Sequence, residues 1–102
     1  MTKIEPLISA GDYRVFQAMM PKEPAFKDGP TGIDIDFATF SIRENIRIQS
    51  AMTANKAIVM VGVEPDKFER YCENYDKDRN WQSLTNFADA KFDMSLDILD
   101  DE

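Results

Sequence analysis

Seven apolar residues, Ala57 to Val63 (AIVMVGV), run directly into Glu64-Pro65 and then into Phe68, Tyr71, Cys72 and Tyr75, spaced i, i+3, i+4 and i+7. No other stretch constrains the fold as tightly. The β-branched run has the length of a strand and falls far short of the roughly 20 residues of a membrane span. Its near-continuity predicts a central strand covered on both faces. Proline at the first helical position forfeits no needed hydrogen bond, so a helix begins at Pro65. The spacing that follows places one apolar stripe on that helix.

The remaining segments fill out a mixed domain. Residues 1–12 read as a short leader or one helical turn, ended by Gly11 and Asp12. Tyr13 to Met20 is rich in β-formers, with Tyr13, Val15 and Gln17 on one face and Arg14, Phe16 and Ala18 on the other, and reads as a strand with both faces partly covered. Pro21 to Gly32 holds three prolines and two glycines, which makes it a loop with a tight turn at Asp28-Gly29-Pro30. Gly32 to Phe37 alternates, with Ile33, Ile35 and Phe37 toward a core and Asp34 and Asp36 toward water, as a strand would. Residues 39–55 read two ways. Ser41 to Glu44 fits a capping box that would start a helix with Ile42, Ile46 and Gln49 on one stripe, yet residues 46–49 also alternate like a strand. The capping box and the residues around Ala51 favour helix. Asp76 to Asn80 breaks the helix that begins at Pro65. Asn80 then caps another, in which Trp81, Leu84, Phe87 or Ala88, and Phe92 share a face. The expected class is α+β: a small two-layer domain with two or three strands packed against two or three helices. Residues 1–92 form the globular body and 93–102 a soft acidic-hydrophobic tail.

At 102 residues this is one domain, able to bury roughly 60–65% of its unfolded surface. A hydrophobic share of 43% is too high for a disordered chain. The single cysteine, Cys72, forms no internal disulfide, and the N-terminal stretch lacks a signal-peptide core. A reducing cytoplasm and no membrane association are therefore expected.

Missing residue types narrow the chemistry. The chain has no histidine, which removes Ser-His and Cys-His nucleophilic pairs, His-ligated zinc and the usual neutral-pH general base. With one cysteine, a Cys-rich zinc site is out, and no glycine-rich phosphate loop is present. The reading is not an enzyme, with no cofactor and no metal. Asp76-Lys77-Asp78-Arg79-Asn80 opens like a calcium loop, but Trp81 and Phe87 stand where glycine and glutamate are required, leaving a polar turn. Asp34 and Asp36 lie on one strand face with no third ligand, and so read as the wet side of that strand. Cys72 falls on an apolar stripe and reads as a buried thiol. Arg43, Arg47 and Lys56 are too few for direct nucleic-acid binding on a chain of net charge −7.

The charge is unevenly placed. Residues 1–63 carry seven acids and seven bases, residues 64–92 seven acids and five bases, and residues 93–102 five acids and no base. Apolar Met94, Leu96, Ile98 and Leu99 interleave with those last acids, a pattern that docks on a basic groove with apolar pockets or simply packs back on the body. The expected function is a non-catalytic protein-binding module, an inhibitor or an immunity or anti-defence factor. It would occupy the basic, nucleic-acid-binding surface of another protein by nucleic-acid mimicry. Asp93, Asp97, Asp100, Asp101 and Glu102 would supply charge and Leu96 and Leu99 anchorage. Glu69, Glu73 and Asp76 would add acid on the outer face of the preceding helix. Two alternatives stand beside it: a homo-oligomer subunit assembled through an edge strand at Tyr13 to Met20, and a replication accessory whose acidic tail recruits partners.

Overall fold

The computed structural model describes residues 2–53 and 57–97. In chain order these form β1 (Thr2–Leu7), α1 (Tyr13–Met19), a 3-10 turn (Pro24–Phe26), α2 (Phe37–Thr53), β2 (Ala57–Gly62), α3 (Pro65–Asn74) and α4 (Trp81–Asp97). The class is α+β, four helices against a two-stranded parallel sheet. Parallel strands need a crossover, which α1 and α2 provide between β1 and β2. The register runs from Thr2↔Ala57 to Leu7↔Gly62, and the Val63 amide donates to the Leu7 carbonyl just beyond the last pair.

Side chains alternate across the sheet, so Ile4, Pro6, Val59 and Val61 share one face and Lys3, Glu5, Leu7, Ile58 and Met60 the other. α4 packs against both strands, and Ile4 and Val61 join the core. Aromatic rings build that core in two groups. Tyr13 meets Phe26, Phe37 and Phe40 at centroid distances of 5.5, 5.5 and 5.0 Å, with Trp81 closing over Phe26 at 6.0 Å. Phe68 links Phe16 at 6.1 Å to Phe87 at 5.9 Å.

The helix from Pro65 and the helix from Trp81 stand where the spacing puts them. Phe68 and Cys72 are buried in the first, Leu84, Phe87 and Ala88 in the second. Tyr75, the C-cap of α3, is 65% exposed. Asp76 takes a left-handed φ of 53° and the Lys77 amide returns to the Cys72 carbonyl at 2.9 Å, a Schellman ending. Asn80 caps α4 as expected, its Oδ1 accepting from the Ser83 amide at 2.9 Å.

Three expectations are corrected. Residues 2–7 are a strand, not a leader or helical turn. Tyr13 to Met20 is not an edge strand: Tyr13, Phe16 and Met20, spaced three and four apart, are buried while Val15 is 48% exposed, so the helical period prevails over β-propensity. Residues 32–37 form no strand beyond a single bridge between Lys27 and Asp34. A tight turn, with Gly32 at φ 71° and its amide on the Asp28 carbonyl at 2.7 Å, turns Ile33 out to 65% exposure. β2 also differs from a doubly covered central strand. It hydrogen-bonds to β1 alone among the described strands, and Met60 is 36% exposed.

One buried charge ties the layers together. Glu5 on β1 is 2% exposed, and its carboxylate receives a two-pronged grip from Arg47 of α2, Nη1 to Oε2 at 3.2 Å and Nη2 to Oε1 at 3.0 Å. Lys3 adds a contact at 3.3 Å, and Glu44 holds the far side of the same guanidinium at 2.6 Å. Burial alone would raise the Glu5 pKa. The hydrogen bonds and charges of Arg47 and Lys3 outweigh it and hold the carboxyl below its ordinary value. A carboxylate depressed in the folded state stabilises at pH above the unfolded value, about 4.3, and that contribution is lost as pH falls through the folded value. Arg47→Met is expected to cost about 2 kcal/mol, between the worth of a surface pair and a buried one, lowering Tm by roughly 10 °C. Glu5→Gln should flatten the acid limb of the stability profile below about pH 4.3, which thermal melts across pH will check.

Candidate interaction surfaces

α2 begins earlier than the Ser41 capping box suggests. The Asp36 carboxylate accepts from the Thr39 amide at 2.9 Å, so the helix starts at Phe37 and Ser41 lies inside it. That amide holds the Asp36 carboxyl below the usual carboxylate range. Phe40 is buried and Phe37 half-buried in the aromatic group, which roots this end of the helix in the body.

The roll of α2 follows from its charges. Arg43, Glu44 and Arg47 are its only charged residues. Arg47 and Glu44 belong to the Glu5 network, and Arg43 Nη1 donates to the Lys27 carbonyl at 2.8 Å. At 100° per residue, the arc opposite the Glu5 network carries Ala38, Ile42, Asn45, Ile46, Gln49 and Met52. All six are exposed, Ile42 at 61%, Ile46 at 62% and Met52 at 54%. The expected stripe of Ile42, Ile46 and Gln49 exists, but it faces water. The inward side of α2 carries Phe37, Phe40, Ile48 and Ala51 with Glu44, so the outward isoleucines are apolar surface beyond what packing on the body uses.

The nominated acids fall into separate places. Glu69 and Glu73 lie on the exposed side of α3, and Arg79 approaches them at 3.3 and 3.7 Å. Asp76 sits in the turn that closes the helix. Asp93 is exposed on α4, which continues past residue 92 without a break through Asp97, the last described residue. The backbone of Leu96 and Asp97 is helical, whereas Leu99, Asp100, Asp101 and Glu102 lie outside the described residues. The structure therefore joins Glu69 and Glu73 through Arg79, with Asp76 in the turn beyond them and Asp93 on α4.

The other candidates resolve into structural roles. Asp34 pairs with Lys27 at 2.6 Å and Asp36 caps α2. Among the described residues no group of three His, Cys, Asp or Glu side chains is placed to hold a metal ion. An open hollow of about 370 Å³ between α1 and α3 is bordered by Asp12, Glu64, Asp66 and Glu69, with Lys67 on Glu64 at 2.9 Å. Sequence reasoning misses Glu5 as a buried partner. The Arg43/Arg47 pair is visible, but its acceptors lie on distant segments.

Among the described residues, no helix is long and apolar enough to cross a membrane. Cys72 is 1% exposed, its Sγ directed at the Asp78 carbonyl at 3.8 Å, and burial pushes the thiol pKa up. A thiol so placed holds little thiolate near neutral pH. Native Cys72 should therefore react with a chromogenic disulfide reagent at least about tenfold more slowly than in denaturant, as absorbance traces will record. Searches of protein-family models, curated proteins and solved structures find no match to this chain.

Proposed function

We propose that this chain is a non-catalytic protein-binding module that docks through the outward face of α2. The observation that carries the reading is that Ile42 and Ile46, 61% and 62% exposed, lie one turn apart on the outward side of α2. Exposed apolar side chains clustered on one rigid element are what a protein interface buries at its centre. The histidine-free composition supports a binding role over general acid–base catalysis near neutral pH.

A second reading keeps the acidic inhibitor or anti-defence factor, acting on a basic surface that otherwise binds nucleic acid. Five acids and no base in residues 93–102 favour it. Complementary charge would raise the association rate, and carboxylates would compete for the lysines and arginines that hold phosphate.

Affinity capture from the native host separates the two. The doubly substituted Ile42→Asp/Ile46→Asp chain should keep its circular dichroism and lose its captured protein. Asp93→Asn/Asp97→Asn should leave capture within about threefold, a change below 1 kcal/mol. The opposite pattern transfers the binding role to the acidic segment and rejects the α2 reading.

A further inference from the structure

We propose that the occupant of the α2 face is a second copy of this chain, paired helix to helix and antiparallel about a two-fold axis. The proposal rests on the reading of α2 as a docking surface and names its partner. A symmetric interface must be complementary to itself. Charges of one sign fail that requirement, whereas apolar side chains and carboxamides meet it, because an amide donates and accepts with the same group. The arc of Ala38, Ile42, Asn45, Ile46, Gln49 and Met52 contains only such residues.

The charge of the whole molecule points the same way. With two arginines and one glutamate, α2 is net +1 on a chain of net −7. A basic partner would be drawn to the acids of α3 and the end of α4 instead. The partner suited to α2 is neutral at the contact and not basic elsewhere, a description this chain fits. Meeting through α2 also keeps the acids of the two copies away from the contact.

Antiparallel alignment follows from how the helix is mounted. Phe37 and Phe40 root its N-terminal end in the body. Parallel pairing would set the two bodies side by side, while antiparallel pairing places them at opposite ends and opposes the helix dipoles. An axis level with residue 44 lays Ile42 of one copy on Ile46 of the other. A helix about 25 Å long offers less than the roughly 800 Å² per partner of a standard interface, so the dimer is a reversible one.

Sedimentation velocity on the full chain tests this, from about 5 μM to about 1 mM, a range that brackets weak pairs. The mass should climb toward twice the protomer with concentration. Raising salt from about 0.05 M to about 0.5 M shortens the screening length from about 14 Å to about 4 Å and should tighten the pair several-fold, because it weakens the repulsion of like-charged copies. Ile42→Lys and Ile46→Glu, both at exposed positions, should each weaken the pair at least about tenfold while keeping the thermal midpoint of the monomer. Mixed one to one they should associate again. The lysine introduced in one copy then meets the glutamate introduced in the other, while the unsubstituted Ile46 of the first meets Ile42 of the second. A monomer at every concentration overturns the proposal, as does a dimer indifferent to both variants or one loosened by salt. Failure of the mixture overturns the antiparallel geometry. If the chain stays monomeric but host capture still depends on Ile42 and Ile46, the second copy is rejected and the docking surface survives. If capture is also indifferent to them, both readings fall.

Discussion

The Glu5–Arg47 fork determines how the two halves of the crossover meet. A carboxylate 2% exposed on β1 must find charge and hydrogen-bond donors, because an unpaired buried ion costs several kcal/mol. Two guanidinium nitrogens at 3.0 and 3.2 Å satisfy both oxygens at once. A planar two-point contact sets direction as well as distance, so it fixes the rotation of α2 about its own axis. Glu44 on the other side of the same guanidinium keeps Arg47 from swinging away. With Arg47 on Glu5 and with Phe37, Phe40 and Ile48 turned to the body, Ile42 and Ile46 face outward. Such a pair adds little net stability over an apolar substitute of the same shape. Its contribution here is to specify one helix orientation among several that the aromatic contacts alone would permit.

Those aromatic contacts hold the rest. Tyr13 from α1, Phe26 from the 3-10 turn, Phe37 and Phe40 from α2 and Trp81 from α4 form a network of ring contacts, from 5.0 Å at Tyr13–Phe40 to 6.3 Å at Phe40–Trp81. The Tyr13 hydroxyl and the Gln17 amide both donate to the Ile35 carbonyl, at 2.7 and 3.0 Å, pinning the loop that leads into α2. The loop needs no strand of its own, since side chains from α1 satisfy its backbone. Glu23 extends the same economy, its Oε1 receiving the Trp81 amide at 2.8 Å and so helping to start α4.

What can be read from the sequence divides along the distance over which each signal acts. The start of α3 at Pro65, its break at Asp76 and the Asn80 cap are local patterns, complete within a few residues, and all three appear as the residues imply. β1 is illegible because its reason for being a strand is β2, fifty-five positions later, and because Glu5 and Pro6 look like loop residues until Arg47 is seen. Tyr13 to Met20 carries residues that suit either structure. Only the burial of Tyr13, Phe16 and Met20, with ring contacts to three other segments, decides for helix. The stripe on α2 is legible as a stripe, but its direction is not. Periodicity identifies which side chains share a face; it carries no information about which face meets the body when the anchoring charge sits on another element.

The neutrality of that outward face is not a consequence of an apolar composition. α3 carries five charged residues in ten, whereas α2 carries three in seventeen, and its two arginines turn back to the body, Arg43 on the Lys27 carbonyl and Arg47 on Glu5. The same chain therefore solvates one helix densely and leaves another bare. An exposed isoleucine costs the fold little, because it is nearly as exposed in the unfolded chain, so stability alone places no pressure on position 42 or 46. Solubility would favour charge at both. Two isoleucines in adjoining turns, on the same arc as Asn45 and Gln49, run against the surface chemistry of α3. A surface that departs from its own protein's way of staying in solution is best accounted for by what it touches.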